Sequence, residues 1–276
     1  MFKNVLVGLD GRSTGRDAIA LARQLLEADG TLTLVHVRPG ALAEEEQSAQ
    51  AMLEREQVEA DVDAQLVAVV ASRPGRGLHQ QAEDGRADLI VVGSCARGMI
   101  GRAMLGDDTR AALNGAPCAV AIAPAGYAAA QRPLTKVGVA YNGSAESEVA
   151  LQAARTLAES AGASVHALHV VSLPSTAYAR YVAPGLRETR NAMLEDAQRR
   201  MDMLSDVEGR AVHGVAGEEL AAFGDELDIL VVGSRGYGPM RRLLLGSTSD
   251  YLQRHARCAL LVLPRCATAD QAGVGT

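Results

Sequence analysis

Late in the chain, Gly233-Ser-Arg235-Gly236 is separated by nine residues from Gly246-Ser247-Thr248-Ser249. Residues of these types suit one kind of chemistry. Glycines let a backbone turn sharply and bring its N–H groups against a ligand with no Cβ in the way. A helix that opens at Gly246-Ser247-Thr248 presents free N–H groups and small hydroxyls, which together make an anion site. Two such segments can clasp a polyphosphate from two sides. Arg235, Arg241 and Arg242 surround the loop, where they either pair with phosphates or stand solvated on the surface. Two rival phosphate motifs are absent. There is no G-x-x-x-x-G-K-[ST], and Gly236-Tyr-Gly238-Pro-Met-Arg241 lacks the last glycine of a dinucleotide loop.

The segment leading into this loop occurs twice. Ala87-Asp-Leu-Ile-Val-Val-Gly-Ser94 returns 140 residues on as Leu227-Asp-Ile-Leu-Val-Val-Gly-Ser234, and Cys118-Ala-Val returns as Cys258-Ala-Leu. Val5-Leu-Val-Gly-Leu-Asp10-Gly11 matches Val137-Gly-Val-Ala-Tyr-Asn142-Gly143, and His36-Val37 matches His169-Val170. The offset grows along the chain because the second copy has a longer stretch around Ser172–Gly185. These matches divide the chain into a unit at 1–126, a Pro/Gly/Ala-rich linker at 127–134, a second unit at 135–266 and a tail at 267–276.

Each unit alternates short Val/Leu runs with helical patterns, which predicts an α/β fold. Strands are expected near 135–141, 164–171, 208–213, 228–233 and 259–264, apolar throughout as parallel strands buried on both faces must be. A helix over Glu146–Ser160 places Val149, Ala153, Leu157 and Ala161 on one stripe, with Ser144 as N-cap and Gly162 as C-cap. Its counterpart runs from about Arg16 to Ala28 and ends at Gly30. The expected architecture is two tandem doubly wound five-stranded parallel sheets of order 3-2-1-4-5, with helices on both faces. The fifth strands, Ala119–Ala123 and Ala259–Leu263, lie at exposed edges in that order, so they are expected to pair with each other. Ligands of such sheets bind beyond the carboxyl ends of the strands, where the order reverses. That point falls between strand 1, ending at Asp10 or Asn142, and strand 4, ending at the glycine loop.

Composition narrows the function classes. Apolar residues make up 48% of 276, enough for sizeable cores, and the net charge is −6. The charge is spread evenly, and there is no Trp and only two Phe to stack on bases, which argues against nucleic acid. No apolar run reaches membrane-spanning length, and the N-terminus does not read as a signal peptide. Cys95, Cys118, Cys258 and Cys266 have neither C-x-x-C nor zinc spacing, the pattern of reduced thiols in a cytoplasmic protein. Cys118 and Cys258 open the last strand of each unit and are expected to pack. Cys95 is a candidate reactive thiol. No His, Asp and Ser fall into a spacing that argues for nucleophilic catalysis, and His36 and His169 read as strand histidines.

Gly233, Gly236, Gly246 and Ser247, in this strand context and on a duplicated unit, resemble the universal stress protein family. Its ATP-binding members carry glycine, two residues, glycine, nine residues, then glycine with Ser or Thr. The resemblance covers both halves and implies ATP with a divalent metal, Mg or Mn, in a bacterial tandem protein of stress or growth-arrest responses. The positions it assigns to nucleotide are Ala140, Tyr141, Asn142, Val170, Val232, Gly233, Arg235, Gly236, Gly246, Ser247, Thr248 and Ser249; none is assigned to metal.

The first half departs from the pattern. Its equivalents are Gly93, Ala96, Gly106 and Asp107, with Asp108 beside them. Carboxylates cap a helix N-terminus, occupy the N–H groups a phosphate needs and repel a triphosphate; the other reading of the acidic pair is a Mg²⁺ ligand. Asp10 keeps the acid that contacts adenosine in the family, whereas the second half has Asn142. One ATP in the second half is therefore expected, in a nucleotide-dependent binding module with a protein partner of unidentified type. The alternatives are a slow ATPase or autophosphorylating enzyme, disfavoured because no general base stands near Ser247, and a nucleotide-free partner protein. The assembly expected is an intrachain pseudo-dimer, with a homodimer as the next level.

Overall fold

A computed structural model of the chain describes residues 1–94, 112, 114–130, 133–172, 186–234, 243 and 246–264. In the first half, β1 (Phe2–Leu9), α1 (Thr14–Leu25), β2 (Leu26–Arg38), α2 (Ala43–Ala60), β3 (Gln65–Val70), α3 (Pro74–Asp84), β4 (Leu89–Gly93) and β5 (Ala119–Ala123) follow one another. A helical turn, α4 (Tyr127–Ala130), leads into β6 (Lys136–Ala140), α5 (Ala145–Ala161), β7 (Ser164–Val171), α6 (Leu186–Asp202) and β8 (Glu208–His213). The second half closes with α7 (Ala216–Gly224), β9 (Ile229–Gly233), α8 (Ser247–His255) and β10 (Ala259–Leu263).

Each half has the expected order 3-2-1-4-5, and the two join into one ten-stranded sheet, β3-β2-β1-β4-β5-β10-β9-β6-β7-β8. Pairing is parallel within the halves and antiparallel only at the β5–β10 seam. At the seam Leu261 faces Ala121, its own equivalent in the repeat, while Leu260 faces Ile122 and Val262 faces Val120. The pairing is thus symmetric about Ala121 and Leu261, and each half covers the other's otherwise exposed edge. A second tie crosses the seam: Gly115 N–H donates to the Leu243 carbonyl at 2.8 Å, and Leu243 N–H donates to that of Ala116 at 2.9 Å.

Alternate residues of each strand feed two core layers, one on either face, as the two-residue period of a strand requires. Val5, Val7, Leu89, Val91, Val137, Val139, Ala259 and Leu261 pack on one face. Leu6, Ile90, Val92, Leu230, Val232, Leu260 and Val262 pack on the other. Both layers run through both halves. Cys118 and Cys258 belong to the second layer, where burial pushes each thiol up to about 12. Neither is a thiolate at neutral pH, in keeping with the packing role expected of them. Cys95 and Cys266 lie outside the described residues.

Local structure departs from the sequence expectations in two helices. α1 ends at Leu25, and Leu26 to Arg38 form one long strand, so Gly30 is a strand residue and not a C-cap. The edge of β1 captures the segment: Leu26 pairs with Phe2, and the N-terminal ammonium lies 2.8 Å from Glu27. Position 30 is closely packed: a Cβ there would stand 2.6 Å from the Leu26 side chain and 3.0 Å from the Lys3 carbonyl. In α5 both caps are as expected, with Ser144 Oγ accepting from Ser147 N–H at 3.3 Å and Gly162 at φ 66°. Its buried face, however, is Ala150, Leu151, Ala154, Leu157 and Ala158; Val149 and Ala153 are half-buried and Ala161 is exposed. Because the apolar band is wider than one row, the stripe read through Val149 traced its border.

The start of the linker, residues 126–128, is held against α1. Asp17 of α1, buried at 6% exposure, accepts from Gly126 N–H at 2.9 Å and Ala128 N–H at 2.8 Å. Tyr127 donates its hydroxyl to Gln24 at 2.6 Å, and burial holds its phenol well above the usual range. The tail at 267–276 lies outside the described residues.

Candidate functional site

The carboxyl ends of β6 and β9 meet where the strand order reverses in the second half. After β6 the chain turns at Asn142, whose side-chain oxygen accepts from Ser144 N–H at 3.0 Å, and at Gly143, with φ 79°. The first half makes the same turn with Asp10 accepting from Arg12 N–H at 3.0 Å and Gly11 at φ 77°. Asp and Asn are interchangeable there because the turn uses only a side-chain acceptor two residues back. α5 starts directly after this turn and presses on the end of β9, where a Cβ on Gly233 would lie 2.6 Å from the Glu146 carbonyl. Gly93 plays the same part against Thr14 of α1. Glycine at the end of strand 4 therefore admits a helix N-terminus, in addition to the ligand approach expected of it from sequence.

The starts of α5, α7 and α8 lie at this end of the sheet. Gly246 is the N-cap of α8 with φ −81° and ψ 165°, an extended conformation open to any residue. Leu252, on the apolar side of α8, is fully buried. Around this point lies a cleft of about 1000 Å³. Its lining includes Ala140, Tyr141, Asn142, Val170, Val232, Gly233, Gly246, Thr248 and Ser249 of the positions assigned from sequence. Ser247 is exposed at the first turn of α8 and is not part of the lining, so Thr248 and Ser249 supply the hydroxyls that face the cleft. Arg235, Gly236, Arg241 and Arg242 lie outside the described residues.

The cleft has a further wall that sequence reasoning missed. Thr189, Met193, Asp196 and Arg200 of α6 line it, together with Ser144 and Ser147 at the start of α5. His169 lies between these walls, with Nδ1 buried and without a hydrogen-bond partner among the described residues. Burial, and then the Arg200 charge, hold its imidazole below the ordinary value, with Asp196 opposing them. Tyr141 donates its hydroxyl to Glu148, a bond that, with burial, raises the phenol above its usual range. The only sequence signal for this wall was the longer stretch before α6, which sets that helix apart from its counterpart in the first half.

The first half has a small cavity at the equivalent place, about 170 Å³, lined by Asp10, Gly93, His36 and their neighbours. There His36 Nδ1 is 2.8 Å from the Leu9 carbonyl, so the equivalent histidine is satisfied internally. Arg38, buried at the end of β2, donates to the carbonyls of Gly40 and Leu42 and pairs with Glu46 at 3.1 Å. It draws the start of α2 close to the sheet. The equivalent of Arg38 in β7 is Val171, which has no such reach. Ala96, Gly106, Asp107 and Asp108 lie outside the described residues. Among the described residues no cluster of three or more His, Cys, Asp or Glu could hold a metal ion, and no helix is long and apolar enough to cross a membrane.

Comparison with known proteins agrees with the repeat and the fold. The model of the universal stress protein family matches twice, over residues 1–124 and 133–264. A universal stress protein of Thermus aquaticus is 32% identical over 133 residues, which cover 44% of this chain and 97% of that one. One from Mycobacterium tuberculosis is 25% identical over 203 residues, 68% of each chain. In solved structures, a universal stress protein of Archaeoglobus fulgidus shares the fold at TM-score 0.65 and 17% identity, over 94% of this chain and 97% of its own. With two matches that together span nearly the whole sequence, the chain belongs to the universal stress protein family.

Proposed function

We propose that the chain is a cytoplasmic, nucleotide-dependent stress-response module that binds one ATP, in its second half. The observation that carries this reading is the difference between the equivalent cavities, about 1000 Å³ against about 170 Å³. The larger is of the size usual for ligand sites. The residues fit the group. The N-terminus of α8, with the N–H groups beyond Gly246 and the hydroxyls of Thr248 and Ser249, would hold phosphate oxygens. Asn142 offers both a donor and an acceptor to a ribose or base. Val170 and Val232 give the apolar contacts a base needs, and Nδ1 of His169, without a partner among the described residues, is a polar atom that a ligand could satisfy. ATP with Mg or Mn supplies a polyanion and its counter-ion; the protein supplies the clasp. The tie from Leu243 to Gly115 and Ala116 joins the stretch before Gly246 to the first half, giving occupancy a route to the shape of the whole sheet and to a protein partner.

The test is calorimetric titration of the full chain with ATP, with and without Mg, beside identification of any nucleotide retained on purification. One site per chain is expected. Heat corresponding to two equal sites, or none, would overturn the reading.

A further inference from the structure

At the opposite, amino-terminal ends of the strands, a second group of residues is assembled by sheet register. Ser164 and His166 are two apart on β7 and so share a face. Glu208 of β8 is the cross-strand partner of His166, and Lys136 of β6 is that of Ser164. The result is a hydrogen-bonded chain: Ser164 Oγ lies 2.8 Å from His166 Nε2, and His166 Nδ1 lies 3.2 Å from Glu208 Oε2. Lys136, His166, Glu208, Arg210, Phe223 and Leu227 line an adjoining cavity of about 360 Å³. The Arg210 guanidinium is held over the Phe223 ring at 5.2 Å and lies 3.6 Å from Glu226.

The tautomer follows from the partners. A carboxylate only accepts, so Glu208 fixes the proton on Nδ1 and leaves Nε2 as an acceptor facing the serine hydroxyl. Ser164 Oγ is also 3.2 Å from the Thr135 carbonyl, to which the hydroxyl donates when it turns from the histidine. The first half has no such set. The pair equivalent to His166 and Glu208 in register is Thr33 and Gln65.

We propose that Ser164, His166 and Glu208 form a nucleophilic site that accepts an acyl group from a small ester. Ser164 Oγ bonds to the carbonyl carbon as its proton passes to His166 Nε2. The carbonyl oxygen takes up negative charge, for which Lys136, the cross-strand partner of Ser164, is the cation offered by register. The bond to the leaving alcohol then breaks, and His166 returns the proton to that oxygen. Water attacks the acyl-serine by the same relay, releasing the acid and restoring the hydroxyl.

The site stands apart from the nucleotide cleft, so it survives or fails independently of ATP binding. The experiment is incubation of the full chain with p-nitrophenyl acetate, with p-nitrophenolate release followed by absorbance and the acetylated peptide located by mass spectrometry. Acetyl on Ser164 is expected, absent in Ser164→Ala and formed about 100-fold more slowly in His166→Gln, the low end of what a positioned general base contributes. Glu208→Gln slows it less, since the 78% exposed carboxylate only orients the ring. Ser164 and Glu208 are on the surface, and His166→Gln keeps a polar side chain, so unchanged melting curves accompany these results. Acetyl on Lys136 or the N-terminal amine with none on Ser164 would overturn the proposal, as would wild-type labelling in His166→Gln.

Discussion

The clefts of the two halves start from the same parts. Both have a strand-1 turn with a side-chain acceptor and a left-handed glycine, both pack a helix start on the last glycine of strand 4, and both place a histidine in strand 2. What differs is the treatment of the second helix. In the first half Arg38 ties down the start of α2, and Arg16 of α1 lies 3.5 Å from buried Glu56 and pairs with Glu59 of α2. In the second half α6 instead gives the cleft a wall bearing Thr189, Asp196 and Arg200. The frame is kept in both copies, while the cavities differ, about 170 Å³ in the first half against about 1000 Å³ in the second. The comparison teaches that the turn and the glycine belong to the fold of both halves, so any difference in ligand binding between them must rest on what is not shared.

The largest break in this comparison is expected at the phosphate end. Gly246→Asp should lower ATP affinity by at least about 100-fold, since an aspartate at the N-cap takes the N–H groups that a phosphate would use and repels it. Two charge-assisted bonds lost at roughly 1.5–3 kcal/mol each suffice for that factor. The chain should stay folded, because the φ of −81° suits aspartate and the residue is a good cap. Ser247→Asp should act in the same direction but less strongly, because Ser247 is exposed and off the lining. Calorimetry on both variants checks this; undiminished binding by Gly246→Asp would move the phosphates away from α8.

Next in size is the glycine shared by both halves. Gly233→Ala places a Cβ against the Glu146 carbonyl and should cost about 1–3 kcal/mol by overpacking. Gly93→Ala, against Thr14, should cost a similar amount. Urea midpoints decide it: a loss in both halves marks a packing glycine, whereas a loss of ATP binding by Gly233→Ala with stability unchanged would restore a purely ligand-facing role.

His169 sharpens the contrast with His36. Its folded imidazole lies below the ordinary value of 6.5, so between the two values the unfolded chain binds more protons than the folded one. Stability is therefore fully present above pH 6.5 and falls as the pH drops toward the folded value. Arg200→Met should raise the His169 titration midpoint and Asp196→Asn should lower it, as read from the imidazole resonances by NMR. His169→Gln should flatten the acid side of the stability profile. An unchanged midpoint in Arg200→Met would show that burial alone sets it.

The strands and the repeat were legible in the sequence because a strand buried on both faces must be a continuous apolar run, and the duplication printed each run twice. The seam followed from the need to cover edges once the 3-2-1-4-5 order is taken. Gly30 misled because a glycine after a helical pattern reads equally well as a cap or as a strand residue under close packing. Thr189, Asp196 and Arg200 were not legible as cleft residues, since only the tertiary placement of α6 brings them to His169. The Ser164, His166 and Glu208 chain was hidden for a related reason. Its glutamate is distant in sequence, and only strand register puts it opposite the histidine.

The smallest expected effect tests the claim that the strand-1 turns are equivalent. Asn142→Asp recreates in the second half the residue of the first, Asp10. The hydrogen bond to Ser144 N–H needs one side-chain oxygen, which aspartate also has, and Gly143 keeps its positive φ. A carboxylate just ahead of α5 also interacts favourably with that helix N-terminus, by about 0.3–1 kcal/mol at low salt. Stability in urea should therefore stay within about 0.5 kcal/mol of wild type, the range of ordinary surface changes. Asn142→Leu, which removes the acceptor, should lose about 1 kcal/mol. ATP affinity of Asn142→Asp at about 0.15 M salt should change by less than about threefold, because Asn142 is exposed and the new charge is screened. If Asn142→Asp destabilises the chain as much as Asn142→Leu, the two turns are alike in outline only, and the amide of Asn142 has a partner that an acid cannot replace.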